Sequence, residues 1–586
     1  MNAGIAVADL KVADALDRLY VMPRAGTDPH RLRQRLEADC PGLGIKRSHG
    51  ALWVAAAEAH RLLEVTEIAL RWTGESRRFA ENRRRARLVH PTLRAEVARV
   101  LAAGAVDARR SLGAPEVSAA LDDHQAVNVA AMAIPTSYGL CLFDEQGLGK
   151  TVTVIFAYDL LVARDQIDFC LVVAPKSMVP EWPHDFGRFK PGLYSVKVAA
   201  GSRREKRQTL ASRADVVVTN FETAVSMESE LRALLRASGD RAMMVIDESF
   251  FAKSLDAKRT RAIRRLREWC GRAFVLCGTP APNAPEDLVQ QFNLVDFGLT
   301  FDGIVVPEDR QSQHRVVKQA MEERGAYIRH LKSEALPDLP SRRCSRLLVP
   351  LAPEQYRLYS AALERLVADL RIVDDEAFRR RIASFMGQRS TLLQICSNPA
   401  SVAPGYVETP AKLGVLDQVL EELSRRREKA VIWSFYVASI EALVNRYGRY
   451  KPVRYDGTVT DTRARREAVR RFQEDGDCML FIANPAAAGA GLTLHRARIA
   501  IYESMSNQAA HYLQSLDRIH RRGQTREVEY LIILCDKTIE VSEYDRLIAK
   551  DRSAKSLLGD PEETAVTREA MLAEALSLAG VMGEIP

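Results

Sequence analysis

The chain has 586 residues, of which 47% are hydrophobic and 27% are charged, a balance that fits a globular protein and excludes collagenous and largely disordered classes. No apolar run approaches the roughly 18 to 20 residues that a membrane helix needs. The N-terminus lacks the basic start and apolar core of a signal peptide. The nine cysteines form no CxxC pair, which argues against a zinc ribbon and a disulfide framework. We therefore expect a cytoplasmic protein with no membrane partner.

The net charge of +8 is concentrated in one segment of the chain. Residues 77–110 contain ten arginines and no lysine against three acidic residues, which leaves +7. Such a segment indicates either a polyanion-binding surface or the solvated face of a helix, and the sequence leaves both interpretations open.

The chain divides by its hydrophobic pattern. Residues 1–118 are rich in Ala, Leu and Arg with few strand signals, which predicts a mostly helical N-terminal domain that binds DNA or a partner. Residues 119–300 alternate short apolar runs with helical stretches, and such alternation is typical of a parallel sheet. The runs are Leu140–Phe143, Leu171–Val173, Val216–Val218, Met243–Ile246 and Phe274–Cys277.

Residues 301–405 become helical and polar, which predicts a helical insertion and linker. A second strand–helix series fills residues 406–558, and residues 559–586 are predicted to form a C-terminal helical tail. The apolar runs of the second series are Val431–Phe435, Cys478–Ile482, Ile499–Tyr502 and Val528–Leu534. The predicted fold class is therefore α/β, with two parallel-sheet lobes, a helical insertion and a mostly helical N-terminal domain.

A candidate phosphate loop, Asp144–Thr151, follows the first apolar run. Its small residues let backbone N–H groups approach phosphates at the start of a helix. Lys150 would then reach the β- and γ-phosphates, and the Thr151 hydroxyl would bind Mg²⁺. The pattern G-x-x-x-x-G-K-[ST] fails at its first position, where Asp144 stands, so an ordinary glycine-rich turn remains the alternative.

An acid pair, Asp247 and Glu248, ends the fourth apolar run. In a nucleoside triphosphatase, Asp247 would hold Mg²⁺ and Glu248 would activate the attacking water. Acid pairs after strands are common, so the pair indicates a triphosphatase only in combination with the phosphate loop upstream.

Two arginines, Arg518 and Arg521, lie within the segment Gln514–Gln524. On a helix their spacing of three places them on one face, where they could stabilise charge on a transferring phosphoryl group. A basic helix with surface ion pairs is the alternative. The order of loop, acid pair and arginines favours ATP bound between the two lobes.

With these motifs, residues 119–558 resemble the Swi/Snf-type family of DNA-dependent ATPases in helicase superfamily two. Two family-specific stretches carry much of the resemblance, Arg329–Pro340 and Leu393–Pro399. It implies two RecA-like lobes, ATP and Mg²⁺ as cofactors, and double-stranded DNA as partner. It assigns catalysis to Lys150, Asp247, Glu248, Arg518 and Arg521, and metal binding to Thr151 and Asp247. ATP contacts are assigned to Gln125, which faces adenine in the family, and to Gly147, Gly149, Lys150, Thr151, Gly491 and Gln514. DNA contacts are assigned to Pro175, Lys176, Thr219, Asn220, Thr279 and Thr493.

Two positions depart from the family pattern. Phe250 replaces a histidine that links the ATP site to the nucleic-acid side, and Ala486 replaces an arginine that usually begins motif V. Phenylalanine cannot supply the hydrogen bond of the histidine. The segments Asp247–Phe251 and Gly491–Leu494 are similar to those of the branch of annealing helicases and their bacterial relatives.

The leading functional hypothesis is an ATP-dependent translocase on double-stranded DNA. The alternative is an ATPase subunit of a larger bacterial or phage repair or defence complex that needs a protein partner. A strand-separating helicase or an RNA-stimulated ATPase is a third reading, which the family-specific stretches disfavour.

Overall fold

The computed structural model of the protein describes residues 7–48, 50–113, 119–252, 257–278, 280, 285–307, 309–459, 461–487, 492–505, 509–556, 571–572 and 574–578. It separates into two compact units, Met1–Ala335 and Leu336–Pro586. Among the described residues, no helix combines the length and apolar character that a membrane crossing requires.

The N-terminal domain begins with a sheet that the sequence does not predict, although its two α-helices together contain more residues than its strands, as the sequence predicts. Five strands in the order β3-β4-β2-β1-β5 pack against a short helix, and a long helix follows. The elements are β1 (Ala8–Val12), β2 (Arg18–Pro23), α1 (Pro29–Asp39), β3 (Ile45–Ser48), β4 (Ala51–Ala55), β5 (Leu70–Arg71) and α2 (Gly74–Leu112). The strands span only two to six residues, so their period-2 alternation is too brief to stand out from the Ala and Arg background.

Helix α2 contains the arginine-rich segment, and capping residues fix where it begins and ends. Thr73 and Ser76 form a capping box at its start, and Gly113 ends it in the left-handed conformation. The helix is interrupted at Gly104, where φ is 74°.

The arginines of residues 77–110 mostly pair with acids of the same chain. Arg83 is buried and binds Glu268 at 2.9 Å, while Arg78 binds Asp240 at 2.6 Å. Eight of the ten arginines have an acidic partner, and the pairs are Arg77–Glu81, Arg78–Asp240, Arg83–Glu268, Arg85–Asp240, Arg87–Asp302, Arg99–Glu96, Arg109–Asp123 and Arg110–Asp107. The segment therefore fixes α2 against the following lobe, a role that neither interpretation of the sequence included.

Replacing Arg83 by Gln is expected to lower the free energy of unfolding by about 3–5 kcal/mol, because the carboxylate of Glu268 would stay buried without its cation. Urea unfolding of the full chain measures this. Arg84→Gln, at an exposed neighbouring position, is the matched control and should unfold as the wild type does. Equal stability of the two variants would contradict the docking role of α2.

Lobe 1 is built on a seven-stranded sheet in which every pair is parallel, in the order β12-β6-β11-β10-β7-β9-β8. Its strands are β6 (Gly139–Leu142), β7 (Phe169–Ala174), β8 (Val196–Val198), β9 (Val216–Asn220), β10 (Ala242–Asp247), β11 (Arg272–Leu276) and β12 (Tyr327–Ile328). Its helices are α3 (Asp123–Met132), α4 (Lys150–Ala163), α5 (Glu181–Phe189), α6 (Arg203–Ala211), α7 (Phe221–Ser226), α8 (Glu228–Ser238), α9 (Lys258–Arg267), α10 (Glu286–Asp296), α11 (Arg310–Arg324) and α12 (Lys332–Ala335). The central strands are buried, as their continuous apolar runs predict.

Lobe 2 holds a six-stranded parallel sheet in the order β13-β18-β17-β14-β16-β15. Its strands are β13 (Arg342–Val349), β14 (Ala430–Trp433), β15 (Val453–Tyr455), β16 (Leu480–Ala483), β17 (Ile499–Tyr502) and β18 (Val528–Cys535). Its helices are α13 (Pro353–Arg371), α14 (Asp375–Ser397), α15 (Ala411–Arg425), α16 (Val437–Arg446), α17 (Thr462–Glu474), α18 (Ala509–Leu516) and α19 (Ile539–Ser556). All nine strands that the sequence predicts in the two lobes are confirmed.

The predicted helical insertion, residues 301–405, is not a separate body. Its first part adds α11 and the strand β12 to lobe 1, and its second part adds the eight-residue strand β13 to the sheet of lobe 2. Strand β13 lies at a sheet edge and is rich in arginine, so its sequence lacks the apolar run of a central strand. In the predicted tail, the described residues 571–572 and 574–578 are helical.

Candidate active site

The candidate site of lobe 1 lies at one edge of its parallel sheet. Strands β6, β11 and β10 are neighbours, and their carboxyl ends lead into the phosphate loop, Cys277-Gly278 and the acid pair. Because all strand pairs are parallel, these three segments meet at the same edge, which is where ligands bind in open α/β sheets.

The phosphate loop is shaped by two glycines in the left-handed conformation. Gly147 has φ of 87° and Gly149 has φ of 76°, and Gly149 caps the first turn of α4. A Cβ atom at Gly149 would lie 2.3 Å from Nε2 of Gln125, so a side chain there would displace this amide as well as strain the backbone. Lys150 and Thr151 then begin α4, whose N-terminal N–H groups and dipole favour an anion.

Lys150 is buried and its ammonium group is held at the loop itself. Its Nζ donates to the carbonyl oxygens of Asp144 and Glu145 at 2.8 and 3.3 Å. Both acceptors belong to the predicted phosphate loop, and the contact of this ammonium group with phosphate stays a prediction.

Asp144, which replaces the first glycine of the loop pattern, is a structural anchor. Its carboxylate is fully buried and accepts hydrogen bonds from Nδ2 of Asn128 at 2.6 Å and from the backbone N and Nδ1 of His330 at 2.8 and 2.9 Å. It thereby ties the loop to helix α3 and to the segment after β12. The departure from the pattern is thus compensated by contacts that glycine could not make.

The acid pair is buried and each carboxylate has a defined neighbour. Asp247 accepts from the indole N–H of Trp182 at 3.1 Å, and Glu248 accepts from Nε2 of Gln146 at 2.8 Å. Burial and the adjacent Glu248 raise the pKa of Asp247 to about 7, although Trp182 and Lys150 oppose the rise. Glu248 has a positive φ of 48°, a strained backbone conformation for a residue other than glycine.

Asp247 and Thr151 offer oxygen atoms that suit Mg²⁺. Carboxylate and hydroxyl oxygens are its preferred protein ligands, and Asp247 and Thr151 supply one of each at the same sheet edge. A protonated Asp247 could not bind a cation, so the raised pKa predicts that metal binding releases a proton near neutral pH.

A short chain of hydrogen bonds begins at Ser249, the residue that follows the acid pair. Its hydroxyl donates to Oε1 of Gln291 at 2.5 Å, and the amide of Gln291 donates to the carbonyl oxygen of Pro280. Phe250, at the position of the family histidine, instead stacks on Phe251 with ring centroids 4.6 Å apart. The structure therefore offers a polar route from Ser249, next to the acid pair in sequence, to Pro280, and this route does not use Phe250.

Gln125 adjoins the loop but has local partners. Its side-chain oxygen accepts from Asp122 N at 3.0 Å in the capping box of α3, and its Nε2 donates to Leu148 O at 3.3 Å. The side chain thus positions the loop, and its predicted contact with adenine stays a prediction.

The predicted DNA contacts of lobe 1 differ in accessibility. Lys176 is exposed and Pro175 is half-buried in the loop after β7. Thr219 is fully buried, and the side chain of Asn220 caps helix α7 by accepting from Thr223 N at 2.8 Å. The Thr219 side chain therefore does not reach the surface, because it lies inside strand β9, which has a paired strand on each side. Thr279 lies outside the described residues.

In lobe 2, Arg518 and Arg521 meet at one backbone carbonyl. Both donate through Nη1 to Leu492 O, at 3.3 and 2.9 Å. They do not share a helix face as predicted, because α18 ends at Leu516 and both arginines follow it in a turn. Gln514 is buried within α18 and Thr493 is half-buried beside this carbonyl. Gly491 lies outside the described residues.

One other cluster of metal-ligating groups occurs among the described residues, formed by Cys396, Cys535 and Glu540 in lobe 2. The ammonium of Lys412 lies 2.6 Å from Oε1 of Glu540 in a buried ion pair. This cation already neutralises the carboxylate, so the cluster does not suit a metal ion.

Sequence reasoning missed Gln146, Trp182 and Gln291. Trp182 is 65 residues from Asp247 and Gln291 is 42 residues from Ser249. Only the order of the strands reveals these contacts, and no sequence signal would have found them without that order.

The fold and site define a P-loop protein of the helicase type with two parallel-sheet lobes. A family model described as the SNF2-related domain matches residues 49–401, and one described as the helicase conserved C-terminal domain matches residues 411–523. The first match alone covers more than half of the chain. The chain therefore belongs to the SNF2-related family in helicase superfamily two, a family of DNA-dependent ATPases.

Similar proteins come from plants, animals and bacteria. The chain is 28% identical to "ISWI chromatin-remodeling complex ATPase CHR17" of Arabidopsis thaliana, over 70% of this chain and 39% of that protein. It is 27% identical to "SWI/SNF-related matrix-associated actin-dependent regulator of chromatin subfamily A-like protein 1" of Xenopus laevis, over 68% and 40%. It is 24% identical to an "Uncharacterized ATP-dependent helicase" of Mycoplasma pneumoniae, over 69% and 38%. The chain thus spans about two fifths of these relatives.

Among solved structures, the chain is similar to the "Sulfolobus solfataricus SWI2/SNF2 ATPase core in complex with dsDNA". The two share 20% sequence identity over 76% of this chain and 97% of that chain, with a TM-score of 0.35.

Proposed function

We propose that the chain is an ATP-dependent translocase on double-stranded DNA that hydrolyses ATP while bound to the duplex. The observation that carries the proposal is the joint placement of Lys150, Asp247 and Glu248 at one sheet edge, with Gln146 against the Glu248 carboxylate at 2.8 Å. Membership in a family of DNA-dependent ATPases supports DNA as the stimulating partner.

The chemical roles follow from the geometry. The backbone N–H groups of the loop and the ammonium of Lys150 bind the phosphates of ATP, while Thr151 and Asp247 hold Mg²⁺. When bound, the metal ion neutralises charge on the phosphate oxygens. Glu248 accepts a proton from the attacking water as general base, and Gln146 fixes the direction of its carboxylate.

The arginines of lobe 2 complete the proposed chemistry. Arg518 and Arg521 are assigned to stabilising charge on the transferring phosphoryl group, which is the role of paired guanidiniums in phosphoryl transfer. Their common acceptor, the carbonyl oxygen of Leu492, keeps the two groups together.

DNA would be held mainly through its phosphates. Exposed Lys176, which follows strand β7 at the same sheet edge, suits this role. Contacts to phosphates carry no sequence information, so binding should be salt-sensitive and largely independent of sequence.

The test is steady-state ATP hydrolysis by the full chain, with no nucleic acid and with duplex DNA, single-stranded DNA, forked DNA or RNA. We expect severalfold stimulation by duplex DNA and its loss in Lys150→Ala. Displacement of a third strand from a triplex would then report movement along the duplex. A rate that no form of DNA raises, or one that only RNA raises, would overturn the proposal.

A further inference from the structure

The outward face of the N-terminal sheet carries a row of aromatic and basic side chains. The strand registers pair Lys11 with Tyr20, Tyr20 with Trp53 and Trp53 with Lys46. The four residues therefore form one line across β1, β2, β4 and β3, with both ends basic and both middle positions aromatic. Over three strand spacings, the line spans about 14 Å.

This face is directed away from the core of the domain. The alternate residues of the same strands, such as Leu10, Val21 and Leu52, are buried against α1, α2 and the 3₁₀ helix Ala56–Leu63. Lys11 and Lys46 are exposed, Tyr20 and Trp53 are half-buried, and Met22 on the same face is 41% exposed. The line thus offers ring surface and cations together at the surface of the domain.

Trp53 is the centre of the arrangement. The guanidinium carbon of Arg18 lies 4.4 Å from its ring centroid, and Nζ of Lys46 lies 5.2 Å from it. Arg18 is held in place by Asp17, to which its Nε donates at 2.9 Å. Flat guanidinium and indole groups are both surfaces on which nucleic-acid bases stack.

The charge of the face is also positive. Asp9 is the one acid among the described outward residues of β1, β2, β3 and β4, and it lies 3.6 Å from both Arg24 and Arg71. Neither Lys11 nor Lys46 has an acidic partner within 4.0 Å among the residues that the structure describes. Both ammonium groups are therefore available to an anion.

We propose that this sheet face is a binding site for single-stranded DNA, with unpaired bases stacked on Tyr20 and Trp53 and phosphates bound by Lys11 and Lys46. Stacking needs an open base face, which a duplex hides within its own stack, so the aromatic pair selects unpaired strands. A line of about 14 Å accommodates two or three nucleotides. The site is separate from the phosphate loop and does not depend on the proposed function.

The test is binding of a fluorescein-labelled oligo-dT to the full chain without ATP, followed by fluorescence anisotropy. Trp53→Ala is expected to weaken binding roughly 5- to 100-fold, because one base–aromatic stack is lost. Trp53→Phe keeps a ring and should retain most of the affinity. Arg33→Ala, an exposed arginine on α1 of the same domain, is the matched control and should bind as the wild type does.

Variants that remove the positive charges of the face distinguish the contribution of phosphate contacts from that of base stacking. Replacing Lys11 and Lys46 by Gln should reduce the slope of log affinity against log salt by about 1.4, since each phosphate contact on a single strand contributes about 0.7. Thermal unfolding of each variant confirms that the domain is folded, and ATP hydrolysis with duplex DNA should be unchanged.

Three results would overturn the proposal. The first is oligo-dT affinity unchanged in both Trp53→Ala and Tyr20→Ala. The second is an equal loss of affinity for blunt duplex DNA, which would show that phosphates alone are bound. The third is tighter binding of oligo-U RNA than of oligo-dT, which would assign the site to RNA.

Discussion

Replacing Glu248 by Gln is expected to lower the rate of ATP hydrolysis by roughly 10²- to 10⁴-fold, the contribution typical of a positioned general base. An amide cannot take a proton from water. Its oxygen can still accept the hydrogen bond that Gln146 donates to Glu248 Oε1 at 2.8 Å, so the local geometry should persist. ATP binding should therefore be retained while turnover is lost, and single-turnover hydrolysis beside nucleotide-binding measurements separates the two.

The control for this substitution is Glu222→Gln on the same lobe. Glu222 is exposed and pairs with Arg259 at 2.7 Å, so its loss should leave turnover near the wild-type rate. Full activity in Glu248→Gln would remove Glu248 from the role of base. A collapse of ATP affinity in the same variant would assign it to binding instead.

Replacing Gln291 by Ala is expected to abolish most of the stimulation of ATP hydrolysis by DNA while the basal rate stays within about twofold. Gln291 connects the Ser249 hydroxyl, next to the acid pair, to the carbonyl oxygen of Pro280. The segment Gly278–Pro280 resembles the motif that couples the two faces of this lobe in the family. Coupling between two sites commonly amounts to about 1–3 kcal/mol, so its loss should bring the DNA-stimulated rate of the variant down close to its basal rate.

A second substitution tests whether this chain of hydrogen bonds acts as a unit. Ser249→Ala should show the same uncoupling, and the double variant should be no worse than either single one, because residues of one network are not additive. Gln290→Ala is the matched control, since among the described residues its amide oxygen accepts a single long hydrogen bond, from Asn293 at 3.5 Å. Parallel loss of basal and stimulated rates would show that Gln291 serves folding, and unchanged stimulation would exclude this route.

The sequence was a good guide wherever strands were long and apolar. Strands such as β7 and β10 are buried on both faces, so their apolar runs are continuous and their positions could be predicted within two residues. The phosphate loop and acid pair were predictable for the same reason, since both follow such strands. The short strands of the N-terminal sheet and the arginine-rich strand β13 gave no comparable signal.

Contacts between distant residues could not be predicted at all. The partners of Arg83, Asp144 and Asp247 depend on which strands lie side by side, and hydrophobic patterning does not carry that order. The arginine-rich segment shows the consequence, because its net charge left open a polyanion-binding surface or a solvated helix face, while most of its arginines pair with acids of the same chain.

The junction between α2 and lobe 1 has an implication for how such proteins diversify. Modules at the ends of enzymes are often exchanged through recombination, and an exchange is tolerated when the boundary carries few contacts. Here Arg83, Asn82 and Arg78 converge on Glu268, and Arg83 and Glu268 are both buried. A recombinant protein without α2 would keep the buried carboxylate of Glu268 but would lack the Arg83 guanidinium that pairs with it. The N-terminal domain and lobe 1 therefore form a single unit of exchange, and lobe 2 lies outside it.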